Sequence, residues 1–141
     1  MLVLNRMSRS LQGLERYAIE IVLSLSEMWI AWRLLMPPPK FDNAPNFAFV
    51  AELATEPQWA CLALLAAGLK IGGLVLTATK RRPEAAIALR LAGISLSGTF
   101  WVSMGFSAVI SNAQSLFGMP VLLLGVSAWW LLLRFPTIPK G

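Results

Sequence analysis

Hydrophobic residues occur along this chain in long blocks, and the polar residues that separate the blocks predict four helices. The longest stretch without Asp, Glu, Lys or Arg runs from Leu91 to Leu133. As one helix it would be roughly 65 Å long, about twice the thickness of the hydrocarbon core of a bilayer. The polar segment SNAQS at residues 111–115 interrupts it. We therefore predict two helices joined there by a tight turn.

Prolines and capping residues define the other helix boundaries. The three prolines at 37–39 cannot continue a helix and end the first one. Thr55 and Gln58 have the spacing of a capping box, and Pro57 suits the first turn of the helix that follows. Pro83 suits the first position of the third helix. The four predicted spans are residues 17–36, 58–79, 84–110 and 116–135.

The remaining segments are predicted to lie at the membrane surface. Apolar residues recur at helical spacing over residues 1–16, with arginines between them, which is typical of a short amphipathic interfacial helix. Residues 17–141 then form the four-span domain, and residues 37–57 form its external loop. Within that loop, NFAFVAELATE predicts a short helix. Its apolar side chains are predicted to face lipid: Phe47, Phe49, Val50 and Leu53.

The composition favours a membrane protein over a soluble one. The chain has 141 residues, of which 57% are hydrophobic and 13% are charged. A typical soluble domain is about 45–50% apolar and about 25% charged. A soluble chain of this size could not bury so much apolar surface. We therefore predict an all-α membrane protein, an antiparallel bundle of four transmembrane helices preceded by the amphipathic helix.

The distribution of basic residues predicts the orientation. The net charge is +5, and short basic segments lie at residues 6–16, 80–82 and 134–140. With four crossings all three fall on one side, which places both termini in the cytoplasm, most simply at a bacterial inner membrane. The basic residues flank apolar blocks, so the expected partner is the lipid bilayer and not nucleic acid. Aromatic residues are expected near both membrane faces: Tyr17, Trp129 and Trp130 inside, Trp29, Trp32 and Trp59 outside.

Four charged residues are predicted to lie within the spans and to form pairs. At about 1.5 Å per residue, Glu27 and Lys70 are each about 15 Å from the cytoplasmic face, so they can meet near the midplane. Glu20 and Arg90 lie about 5 Å and about 9 Å deep and can also meet, and Glu20 can meet Arg16, one turn earlier in its own helix. Glu20, Ser24 and Glu27 share one helix face. The pairs either fix helix register or form part of an ion path, because an unpaired charge there is costly.

Small residues predict where the helices approach closely. Gly68 and Gly72 have the G-x-x-x-G spacing, and Gly73 extends the small surface. Gly98 is one of several small residues of the third span that suit the same role. Lys70 falls between the first two glycines, near their face but not on it.

Residues that could carry catalysis or bind a metal are scarce. Cys61 is the single cysteine, so it cannot form an internal disulfide, and the absence of histidine excludes histidine-containing metal sites. Neither a Gly-rich phosphate loop nor G-x-S-x-G occurs. We expect a non-enzymatic protein without a cofactor or metal.

A short multi-span chain with a carboxylate in its first span resembles the small multidrug-resistance transporters. The resemblance implies four spans and proton-coupled export of cationic drugs, with Glu27 in the place of the membrane-embedded glutamate of that family. Lys70 departs from the pattern because it would neutralise Glu27 and repel a cation. The strong bias of positive charge to one side is a second departure.

The organisation of the whole chain also resembles small phage-encoded membrane proteins, including holins, although no specific motif is shared. Holins are short, lack enzymatic motifs and oligomerise into membrane lesions, and some have two start sites, as Met1 and Met7 would allow. Four spans are more than the common holin classes have. The resemblance implies a permeabilising homo-oligomer. A structural or accessory subunit of a larger membrane complex is a third expectation.

Overall fold

The computed structural model describes residues 2–42, 44–79, 82–111 and 118–133, with side chains from Tyr17 onward. Within these residues the chain is helical and has no strand, which confirms the all-α prediction. The α-helices are α1 (Leu2–Leu35), α2 (Ala48–Leu53), α3 (Glu56–Ala78), α4 (Pro83–Ser111) and α5 (Gly118–Leu133). A 3-10 turn, Pro45–Phe47, leads directly into α2.

Helix α1 differs from the prediction, because it runs without interruption from Leu2 to Leu35. The sequence pattern separated a surface helix at residues 1–16 from a span that begins at residue 17. The change from polar to apolar composition there is a change in side chains only, and no proline breaks the backbone. A helix therefore continues through it. The side chains of residues 1–16 lie outside the described part of the structure.

The starts of α3 and α4 follow from the capping residues. The capping box of α3 is formed, with the backbone N–H of Thr55 donating to Gln58 Oε1 at 2.8 Å. The helix accordingly begins at Glu56, two residues before the predicted start. Helix α4 begins at Pro83. The predicted turn beyond Ser111, and the end of the fourth span beyond residue 133, lie outside the described residues.

The long helices pack in a defined order. Helix α3 contacts α1 and α4, α4 contacts α3 and α5, and α1 contacts α5 only slightly. The core between them contains an apolar cluster that includes large aromatic side chains. Its fully or almost fully buried members include Leu23, Ala31, Ala63, Ile94, Phe100, Trp101, Ala128 and Leu131.

Glycines allow α3, α4 and α5 to approach one another closely. Only some of the glycines predicted for this role lie at the helix contacts. A Cβ atom added at Gly93 would lie 2.9 Å from the backbone nitrogen of Lys70 and 3.0 Å from the carbonyl oxygen of Ala66. A Cβ at Gly73 would lie 2.9 Å from the carbonyl oxygen of Ala86. These two glycines bring the backbones of α3 and α4 together.

The other predicted glycines differ in their surroundings. Gly98 is buried against the Trp129 ring of α5. A Cβ at Gly72 would only reach Leu89 Cδ1, at 4.0 Å, and one at Gly68 would meet open space. The G-x-x-x-G pair therefore lies mostly outside the helix contacts of this chain, because the face that packs is the one that carries Lys70 and Gly73.

The loop between α1 and α3 folds over one end of the bundle. Val50 of α2 is fully buried, and its carbonyl oxygen accepts a hydrogen bond from Trp59 Nε1 at 2.9 Å. The prediction that Val50 faces lipid is therefore wrong: the short helix turns this side chain into the core. Phe49 and Phe47 are partly buried, while Leu53 is exposed.

Among the described residues, two helices have the length and composition to cross a membrane. These are α3, with 23 residues, and α4, with 29 residues. Helix α5 is apolar but shorter, at 16 described residues. Helix α1 is long, but it carries Glu20 and Glu27 in its apolar half.

Candidate functional site

A buried ion pair joins α1 and α3 in the middle of the bundle. Lys70 Nζ donates to both carboxylate oxygens of Glu27, at 2.9 and 2.8 Å, and neither side chain is exposed. Helix α4 supplies two further groups. The Ser97 hydroxyl lies within hydrogen-bonding distance of Lys70 Nζ, and Trp101 Nε1 donates to Glu27 Oε1 at 3.2 Å. We call Glu27, Lys70, Ser97 and Trp101 the central cluster.

A second buried ion pair joins α1 to α4. Arg90 Nε donates to Glu20 Oε2 at 2.9 Å, and Arg90 Nη2 donates to Glu20 Oε1 at 2.5 Å. This two-bond geometry matches the planar guanidinium to the carboxylate. The guanidinium also lies over the Tyr17 ring, 5.0 Å from its centroid, where a cation–π attraction adds to the pairing.

Helical periodicity explains why these side chains meet. Glu20 and Glu27 are seven residues apart on α1, which is two turns, so both project from one face. Arg90, Ser97 and Trp101 have spacings of seven and four on α4 and share a face in the same way. Ser24 lies between the two carboxylates on α1, and its hydroxyl donates to the Glu20 carbonyl oxygen at 2.8 Å.

The two pairs together make the interior electrically balanced. Among the described side chains each of the two carboxylates is paired with one cation, and Ser97 and Trp101 supply further hydrogen bonds in the central cluster. A buried pair gains little over an apolar core, but removal of one partner leaves an uncompensated charge and costs about 3–5 kcal/mol. The pairs therefore specify which helix faces meet. Within the described residues no group of three or more His, Cys, Asp or Glu side chains could hold a metal.

The structure brings together the four charged residues that the sequence singled out, in the partnership expected from their positions: Glu27 with Lys70 and Glu20 with Arg90. The contact of Trp101 with Glu27 was not predicted from the sequence. Trp101 follows Arg90 by eleven residues, which places it on the same helix face as Arg90 and Ser97. This spacing could have indicated that it lies beside the buried charges.

A cavity of about 450 Å³ opens on the side of the bundle, next to the central cluster. It lies between α1 and α5, where the contact between helices is slight. Its walls include Leu25, Trp29, Val121 and Leu124, and Trp101 also lines it. Trp101 is therefore the residue of the central cluster that the cavity contacts.

Comparison with protein-family models, with curated proteins and with solved structures finds no match to this chain.

Proposed function

We propose that the chain is a small integral membrane protein that acts by assembly and does not catalyse a reaction. The observation that carries this proposal is the distribution of side chains, which is the reverse of that in a water-soluble protein. Glu20, Glu27, Lys70 and Arg90 are buried, whereas large apolar side chains are exposed along every long helix. Such a surface is poorly solvated by water and well solvated by lipid. Exposed examples are Leu25, Leu65, Ile110 and Leu123.

A bundle with four crossings accounts for this surface. Helices α3 and α4 are each long enough to span a bilayer. Helix α1, at 34 residues, is roughly 51 Å long and can cross with its first turns outside the hydrocarbon core. Its carboxylates point inward, and Ile21, Val22 and Met28 are exposed. Helix α5 completes the set. The short basic segments then share the cytoplasmic side of a bacterial inner membrane.

An exposed face of α4 supports assembly. Ala88, Ala92, Ser95 and Thr99 recur at spacings of four and three residues and are all exposed. The hydroxyl groups of Ser95 and Thr99 each donate to the carbonyl oxygen four residues earlier, at 2.9 and 3.1 Å. Small residues at this spacing allow helices of neighbouring protomers to pack closely.

A holin-like permeabilising role is the specific form of this proposal. Induced expression in a bacterial host should stop growth abruptly after a delay, with loss of membrane potential measured by a potential-sensitive dye. Ala92→Phe places a ring on the exposed α4 face and should abolish both effects. Val126→Phe, at an exposed position of α5, is the matched control and should retain them.

Two results would reject the permeabilising role. If high expression causes neither growth arrest nor depolarisation, the permeabilising role is rejected. The accessory-subunit interpretation then remains, and it predicts partners that co-purify with the chain. Equal effects of Ala92→Phe and Val126→Phe would reject assembly through α4.

A proton- or ion-coupled transporter is the second candidate, favoured by the cavity that Trp101 lines, since Trp101 Nε1 also donates to Glu27. Lys70 opposes it, because transport would require the Glu27–Lys70 pair to separate during each cycle. A transporter would leave the membrane sealed, and Glu27→Gln would abolish uptake or export in vesicles that hold a potential.

A further inference from the structure

A second cavity, away from the ion pairs, lies at the end of the bundle where α1 finishes and α3 begins. Its volume is about 490 Å³, within the range of about 300–1,000 Å³ that is usual for small-molecule sites. Its walls are largely apolar and include Leu34, Met36, Phe41 and Pro57. We call it the loop pocket.

Two carboxylates give the loop pocket its charge. Among the described residues that line it, Asp42 and Glu56 are the ionisable ones. Glu56 is held in place, since its Oε1 atom accepts hydrogen bonds from the backbone N–H groups of Lys40 and Phe41. The nearby Lys40 ammonium donates to the carbonyl oxygen of Met36 at 3.1 Å and to that of Pro38, and it is not part of the lining.

The location of the loop pocket limits the kinds of molecule that can bind in it. The exposed rings of Trp29 and Trp32 lie near the same end of α1, with centroids 5.0 Å apart. In the proposed topology this end is the outer membrane interface, where tryptophans accumulate at the level of lipid headgroups. An anionic headgroup would be repelled by Asp42 and Glu56, whereas an ammonium group would be attracted, with its apolar neighbours against Phe41 and Leu34.

We propose that the loop pocket binds the ammonium headgroup of a zwitterionic phospholipid of the ethanolamine type. The inference rests on the proposed membrane insertion and adds a ligand class to it. Asp42 is exposed, and its carboxylate can adjust its position to contact the ammonium group. Glu56 supplies a second carboxylate, which its hydrogen bonds hold in place.

The test uses the full chain purified in a neutral detergent, with lipid added to the micelles so that bilayer curvature plays no part. Thermal unfolding is followed by circular dichroism with phosphatidylethanolamine or with phosphatidylglycerol of the same acyl chains. The ethanolamine lipid should raise the unfolding midpoint of the unsubstituted protein by roughly 2–6 °C more than the glycerol lipid does. Asp42→Asn should lose at least half of this difference.

Two variants serve as controls. Glu52→Gln removes an exposed carboxylate on neighbouring α2, outside the pocket lining, and should keep the full difference. Asp42→Glu retains the charge and should keep most of it. Equal shifts with both lipids, or equal losses in Asp42→Asn and Glu52→Gln, would overturn the proposal. Recovery of the chain in the aqueous fraction, without detergent, would instead reject membrane insertion itself.

Discussion

Lys70 has the surroundings of a residue that holds helices together. Its ammonium group contacts a carboxylate from α1 and a hydroxyl from α4, while its own backbone belongs to α3. Gly93 of α4 lies against the backbone of the same residue. A side chain with these contacts connects three helices at one point. An apolar residue of similar length could not do so, because its contacts have no preferred direction.

Removal of one partner of this pair should therefore cost more than removal of both. Lys70→Met leaves Glu27 buried without a cation, with the Trp101 N–H and the Ser97 hydroxyl as its donors in the central cluster, and should lower the free energy of unfolding by about 3–5 kcal/mol. The double change Glu27→Leu with Lys70→Met should recover most of that loss. Denaturant titration in detergent, followed by tryptophan fluorescence, measures both effects. A double-variant loss equal to the sum of the single losses would contradict the pairing.

At the level of whole helices, the contact between α3 and α4 depends on backbones that nearly touch. Gly93 and Gly73 lie at the contact, and two of the three atoms nearest to a Cβ added at Gly93 belong to the backbone of α3, the third being Cγ of Lys70. Backbone atoms within a helix cannot turn aside as a flexible side chain can. Gly68, on the same helix as Gly73, has open space instead.

A matched pair of glycine substitutions tests this contact. Gly93→Ala should separate α3 from α4 and destabilise the protein by about 1–3 kcal/mol, because the core cannot absorb the added methyl group without a backbone shift. Gly68→Ala adds the same methyl group to open space and should be neutral or stabilising by up to about 1 kcal/mol through helix propensity. Thermal unfolding in detergent compares them. Equal midpoints would show that the close approach does not limit stability.

At the scale of the molecule, the two ends of the bundle differ in charge and structure. The end that contains the loop between α1 and α3 carries Asp42, Glu52 and Glu56 against Arg33 and Lys40, with α2 folded against the core through Val50. The basic segments at 80–82 and 134–140 belong to the opposite end in the proposed topology.

This asymmetry predicts the orientation in the membrane. Reporter fusions after Gly141 and within residues 37–57 should fall on opposite sides, the first cytoplasmic and the second external. A pair of reporters active on alternate sides, such as a periplasmic phosphatase and a cytoplasmic fluorescent protein, makes the measurement. Signals from the same side for both positions would exclude four crossings.

The starts of α3 and α4 and the pairing of the buried charged residues could be predicted from local sequence. Thr55, Gln58 and Pro83 mark helix starts because capping and proline geometry act within one turn. The pairing of Glu27 with Lys70 and of Glu20 with Arg90 followed from counting residues along rigid helices, since a constant rise per residue turns sequence position into height.

Tertiary structure decided which side of each helix faces its neighbours. Helices α3 and α4 are apolar nearly all round, so their pattern does not indicate an inward face. The packing therefore placed Gly73 and Gly93 inside and left Gly68 outside, against the G-x-x-x-G expectation. It also turned Val50 inward and brought Trp101 to Glu27. Sequence determined the height of each group in the bundle, because height depends on one helix alone. The rotation of each helix depends on contacts between helices, and only the assembled bundle contains them.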